Sequence, residues 1–328
     1  RLPLLKQSLS LLVDQLDERD RVSIVVYAGA AGVVLEPTAG NRREEIRAAL
    51  DKLQSGGSTN GGQGIELAYA MAQRSFVAGG SNRVILATDG DFNVGVSSQD
   101  ALVKLVQDKA KGGTFLTVLG FGRGNYKDAQ MESLADKGNG NYAYIDSLAE
   151  ANKVLVEQAA GMLDTIAKDV KIQITLDPDA VRSFRLIGYE NRVMAHEDFA
   201  NDKKDAGDIG AGHRVTALYE IVPTSSASGA THLGDVALRY KMPDGTTSRL
   251  IETKMVDGGM SFRDATTDFR FAASVAGFGM LLRGSPHRGN LDYAAVREMA
   301  SSAIGDDADG YRRAFVGLVD RAAQLERK

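Results

Sequence analysis

Apolar positions in the first half of the chain follow two alternating periods. Leu5, Leu9, Leu12 and Leu16 recur at helical spacing, which predicts that the chain opens inside a helix. Pro3 suits the first turn of that helix, where its missing N–H costs nothing. Val22–Tyr27 and Val33–Leu35 then read as a strand and a short antiparallel edge strand across an Ala/Gly turn. From there, amphipathic stretches at about 42–53, 63–76, 98–111, 127–137 and 148–164 predict helices. The uncharged runs 83–88 (after Arg83), 114–120 and 141–145 between them predict strands. Strands apolar on both faces, alternating with helices, imply a mostly parallel, doubly wound sheet covered by helices.

After about residue 165 the period changes. Val170–Leu176 alternates apolar and polar as a half-exposed antiparallel strand does, and similar runs occur at about 181–189, 213–222, 234–241 and 248–256. Pro178, Pro223 and Pro243-Asp244-Gly245 mark turns between them. The segments 197–212, rich in Asp, Lys and Gly, and Ser225–Gly229 read as solvated loops. Helices are expected from about 265 to 282, with Phe271, Ala272, Val275, Phe278 and Leu282 on one face, and at about 291–303 and 309–326. The division expected is therefore an α/β domain at 1–164 and a β-rich domain with C-terminal helices at 165–328. The alternation in the second suggests a sandwich-like sheet with helices packed on it.

Composition narrows the function. With 328 residues and 43% hydrophobic residues the chain can bury real cores. A net charge of -4 without clustered Lys and Arg gives no reason to expect nucleic acid. Cysteine is absent, which excludes disulfides, thiolate metal sites and thiol nucleophiles, and absent Trp weakens a carbohydrate-stacking reading. No stretch has the apolar length of a membrane span.

Two segments carry candidate chemistry. Gly56-Gly57-Ser58-Thr59-Asn60-Gly61-Gly62 precedes a predicted helix, and Thr88-Asp89-Gly90-Asp91-Phe92-Asn93 follows the strand Val84–Ala87. A hydroxyl and a carboxylate at the carboxyl edge of a parallel sheet offer the oxygen ligands that a hard divalent cation takes. Residue chemistry alone leaves Thr59 open between a metal ligand and a cap of the helix starting near Gly62. Asp89-Gly90 alone reads as a turn, and Asp91 as a solvated or outer group. Gly120–Gly124 lacks dinucleotide-fingerprint spacing, and Gly56–Gly62 lacks the lysine of a phosphate loop. His196-Glu197 lacks a second His, and Asp306–Gly310 fails as a calcium loop, so Asp309 reads as a helix cap.

With these segments in place, residues 1–164 resemble a von Willebrand factor type A domain. Gly56–Asn60 is similar to the family's second metal-site loop and Thr88–Gly90 to its third. Phe271–Gly279 and Leu282–Ser285 resemble the tail of the bacterial YfbK-like subfamily. The resemblance implies a metal-ion-dependent adhesion site binding magnesium (or calcium or manganese), with Thr59 a direct ligand and Asp89 a ligand directly or through water. A carboxylate from a protein partner would complete the coordination. The family's Asp-x-Ser-x-Ser loop and the central strand before it would lie upstream of Arg1. The chain is thus expected to be an N-terminally truncated type A domain, lacking its first central strand and binding metal weakly. The resemblance further implies a cell-envelope or secreted location, with a lipid anchor on a missing N-terminus. No Ser/His/Asp set stands out at motif level, so no enzyme activity is expected. The other reading kept open is a structural or assembly protein of the envelope with no metal role.

Overall fold

The structure, a computed structural model, describes residues 1–27, 32–54, 56, 61–89, 99–121, 128–159, 161, 165–188, 193–204, 206–224 and 231–326. It divides into two compact units. The first comprises residues 1–171, 202–213 and 240–249, and the second residues 172–201, 214–239 and 250–328.

In the first unit α1 (Leu2–Val13) leads to β1 (Arg21–Val26) and β2 (Gly32–Ala39), which pair antiparallel as a two-stranded sheet. Then come α2 (Arg43–Asp51), α3 (Gly61–Arg74), β3 (Asn82–Thr88), α4 (Gln99–Lys111), β4 (Thr114–Phe121), α5 (Asp128–Lys137), β5 (Tyr142–Ile145) and α6 (Leu148–Asn152). Strands β3, β4 and β5 form a parallel sheet in that order, with Leu86 opposite Val118 and Leu119 opposite Ala143. The sheet is covered on both faces, as its apolar strands predict. Ile65, Tyr69, Val106 and Met131 pack with Leu116 and Val118. Leu12, Val154 and Leu155 pack with Leu119, Phe121 and Ile145. A third cluster joins Val13, Leu35, Ile46 and Leu50. Each such side chain contributes roughly 1.5–3 kcal/mol by leaving water. The turn before β5 closes on β4: a Cβ on Gly140 would lie 1.9 Å from the Leu116 carbonyl oxygen, so only glycine fits.

The helix predicted over 148–164 differs. Ser147 caps α6 by accepting from the Glu150 N–H at 3.3 Å. The chain then widens into a π-helical turn, Lys153–Glu157, where the Gln158 N–H reaches back to the Lys153 carbonyl.

The remaining strands are antiparallel. A four-stranded sheet runs β11 (Arg249–Asp257), β10 (Thr231–Lys241), β6 (Thr165–Leu176), β8 (Gly207–Gly210), and β7 (Val181–Ile187) pairs with β9 (Leu218–Pro223). The expected solvated loop at 197–212 instead holds a short 3-10 turn, His196–Asp198, and β8. Glycine-rich β8 escapes a reading based on side chains because its pairing with β6 needs only backbone. Around it a polar network forms. Lys241 Nζ donates to an Asp169 carboxylate oxygen at 2.6 Å and to the Asp202 carbonyl at 2.7 Å. Asp169 takes φ 51 where the β6 register slips, and its N–H donates to Asp208 Oδ1 at 3.2 Å.

In the second unit α7 (Thr267–Leu282), α8 (Tyr293–Ser301) and α9 (Tyr311–Glu326) share a core of Phe278, Leu281, Val296 and Val319. The Phe315 ring meets Phe271 and Phe278 edge-on, each at 5.4 Å between centroids. The predicted face of α7 is rotated. Val275 and Leu282 are 42% and 59% exposed, and Ser274, Gly277, Phe278 and Leu281 form the buried line. Asp307, not Asp309, caps α9, accepting from the N–H groups of Arg312 and Arg313 at 3.0 Å each. The predicted Ser225–Gly229 loop lies outside the described residues.

Candidate functional site

The site is built at the carboxyl end of β3. That strand is held in the sheet by Val84 and Leu86, and it ends on buried Thr88. Asp89 follows, with its side chain 47% exposed, and its Oδ2 accepts from Arg1 Nη1 at 2.8 Å. A pair so exposed adds little stability, about 0–1 kcal/mol. Its chemical meaning is that a positive group occupies this carboxylate.

Two further elements meet there. Tyr27, directly after β1, donates its hydroxyl to the Ala87 carbonyl at 2.8 Å. Gly64, in the first turn of α3, lies so close to Tyr27 that a Cβ would come within 2.3 Å of the Tyr27 Cβ. The end of β1, the start of α3 and the end of β3 are therefore fixed together beside Asp89. Gly61 opens α3. Thr59 lies outside the described residues, as do Asp91 and Asn93. Among the described residues no group of three or more His, Cys, Asp or Glu side chains could hold a metal ion. Asp89 suits a hard cation by chemistry, since its oxygens are accessible and carboxylates are what such ions take.

The other sequence candidates fall elsewhere. His196 sits in the 3-10 turn, its ring nitrogen Nδ1 2.6 Å from Gln173 Nε2. Gly120 and Phe121 end β4, and Gly122–Gly124 lie outside the described residues.

The sequence reading passed over three groups. Tyr27 and Gly64 became visible only through their contact. Arg83, at the opposite end of β3 from Asp89, donates from Nη1 to Thr117 Oγ1 at 2.8 Å and lies over the Phe115 ring. Burial pulls its pKa down to about 10 against the opposing pull of the Asp208 charge. A lone arginine opening an otherwise apolar strand was the available signal. In the second unit a cavity of about 370 Å³ is lined by residues of β7, β9 and α7. Arg185 in its wall is ion-paired with Glu220.

Residues 1–158 match the von Willebrand factor type A domain, whose architecture of a parallel sheet between helices is the one found here. Domains of this class are in general metal-dependent protein-interaction modules. Residues 161–325 match the C-terminal domain described for the uncharacterized protein YfbK. The chain belongs to the YfbK family, which joins these two parts. It is 42% identical to the uncharacterized protein YfbK of Escherichia coli (strain K12), over 98% of this chain and 58% of that protein. It is 23% identical to the uncharacterized protein sll0103 of Synechocystis, over 73% of this chain and 57% of that protein. The chain thus spans little more than half the length of these relatives. A solved von Willebrand factor type A protein from Catenulispora acidiphila shares the fold, with a TM-score of 0.51 and 18% identity over 95% of this chain and 77% of that one. Among the described residues no helix is long and apolar enough to cross a membrane.

Proposed function

We propose that this chain is a non-catalytic binding module that grips an acidic residue of a protein partner through a divalent cation, magnesium by preference. Asp89 would supply one ligand oxygen and Thr59 another, with the partner's carboxylate completing the coordination. The cation's charge would offset two carboxylates brought together, which neither could tolerate unaided. The observation that carries this reading is the convergence beside Asp89 of β1, α3 and β3, tied by Tyr27 to Ala87 and Gly64. The Arg1 guanidinium on Asp89 supports it in another way, since that carboxylate already takes a positive partner. A location in the cell envelope or outside the cell, lipid-anchored, goes with this proposal.

The test is made on the natural protein that contains this sequence. Calorimetric titration with magnesium or manganese should show binding that Asp89→Ala weakens about tenfold or more, with the far-UV circular dichroism unchanged. Partner capture should fail in chelator. Capture that persists in chelator and in the Asp89→Ala variant would overturn the metal-dependent mechanism. That result favours the second reading, an envelope assembly protein with no metal role. The second reading draws on the exposed apolar side chains of the antiparallel strands, among them Phe184 at 60% and Ile251 at 53%.

A further inference from the structure

Among the described residues strand β11 is the outer strand of the four-stranded sheet, paired with β10 on one side only. Its nine residues, Arg-Leu-Ile-Glu-Thr-Lys-Met-Val-Asp, are exposed on both faces except for Met255 and Asp257, which are half-buried. Leu250 is 47% exposed, Ile251 53% and Val256 53%. A long edge strand that shows apolar groups and a row of free N–H and C=O groups is a template for another strand. Natural edges are blunted by proline, bulges, charge or brevity. The opposite edge, β8, obeys that rule with four residues, whereas β11 is long and lacks proline, and its only such device is the charge of Arg249, Glu252, Lys254 and Asp257.

The sequence of β11 says which strand fits. Laid antiparallel against a second copy with Thr253 on the two-fold axis, every cross-strand pair is complementary. Arg249 faces Asp257, Leu250 faces Val256, Ile251 faces Met255, Glu252 faces Lys254, and Thr253 faces itself. Directly opposed residues in an antiparallel pair point to the same side, with their Cβ atoms about 4.5–5.5 Å apart. One side of the joined sheet therefore carries Leu–Val and Glu–Lys pairs, and the other carries Ile–Met, Thr–Thr and Arg–Asp pairs. Among the described residues none of Arg249, Glu252 and Lys254 has an ion-pair partner within its own chain. A two-fold contact requires self-complementarity of this kind, in which residue i meets j and j meets i.

We infer that β11 is a homodimerisation edge, through which two copies of this chain pair antiparallel about Thr253 to continue one sheet across the dimer. A single strand pair is small among specific interfaces, so association belongs in the micromolar range.

The experiment is sedimentation velocity on the chain from about 1 to about 100 μM, the range a small interface calls for. A monomer–dimer equilibrium is expected. Glu252→Lys sets Lys against Lys at two symmetric places, and Lys254→Glu sets Glu against Glu. Each should weaken the dimer about tenfold. The double variant Glu252→Lys/Lys254→Glu restores both pairs with their signs exchanged and should recover the dimer. Both changes lie on exposed positions, so folding should be preserved in all three variants. Because the chain has no cysteine, Thr253→Cys should give a disulfide-linked dimer on mild oxidation. Three results would each overturn the inference: a monomer over the whole range, a dimer indifferent to the single reversals, or failure of the double variant to recover it. The first of these would assign the edge to a strand from elsewhere in a longer polypeptide.

Discussion

Strands β4 and β11 are nearly equal in length, eight and nine residues, and their surroundings are opposite. In β4 Leu116, Val118 and Leu119 are 0% exposed, enclosed by helices on both faces. In β11 seven of the nine residues are exposed. The two regions spend their apolar residues differently. The parallel sheet uses them for its own stability, and the antiparallel edge leaves them for something outside the strand. The same residue types therefore carry different information in the two places.

The largest test of that contrast is a matched pair of truncations. Leu116→Ala should cost about 3–4 kcal/mol, since a fully buried leucine loses both its transfer energy and its packing. Ile251→Ala should cost no more than about 1 kcal/mol in the monomer, because about half of the side chain is already in water. Urea unfolding of both variants at low micromolar concentration measures the difference. Equal losses would mean that β11 is covered within its own chain.

Gly64→Ala probes the parallel region at its binding end and should have the next largest effect. The added methyl must displace Tyr27, an overpacking change worth roughly 2 kcal/mol. It should also weaken magnesium binding, because the start of α3 moves away from β3. If stability falls by that amount and metal affinity does not change, the alignment of α3 with Asp89 is not what the cation uses.

The contrast also explains what could be read in advance. The strands of the parallel sheet were legible because burial on both faces leaves an unbroken apolar run, as in Val84–Ala87. Asp89 was legible because it directly follows such a run. The face of α7 was misread because Val275 and Leu282 are apolar but exposed, while small Ser274 and Gly277 occupy the buried line. Hydrophobicity does not report which small residues allow close packing. Strand β8 was missed because a backbone ladder of Gly207 and Gly210 leaves no side-chain signature. Thr59 shows the boundary most clearly. Residue chemistry pairs it with Asp89 but leaves it open between a metal ligand and a helix cap, the family resemblance makes it a ligand, and its position lies outside the described residues.

The smallest expected effect concerns Asp307, its side chain 5% exposed at the start of α9. Burial alone would raise its carboxyl. The N–H groups of Arg312 and Arg313 and the nearby guanidinium charges outweigh that and hold it below its ordinary value of 3.8. With the folded pKa depressed, the unfolded chain binds more protons in acid. The carboxylate's contribution is therefore complete above about pH 4 and is lost as pH falls through the folded value. Asp307→Asn keeps an oxygen that can accept from the same N–H groups but removes the charge. Its thermal midpoint should lie below that of the unaltered chain at neutral pH, and the gap should narrow steadily as the buffer is taken to about pH 2. A gap of constant size across that range would mean that the start of α9 depends on the hydrogen bonds alone, and that the charge on Asp307 does nothing for the helix.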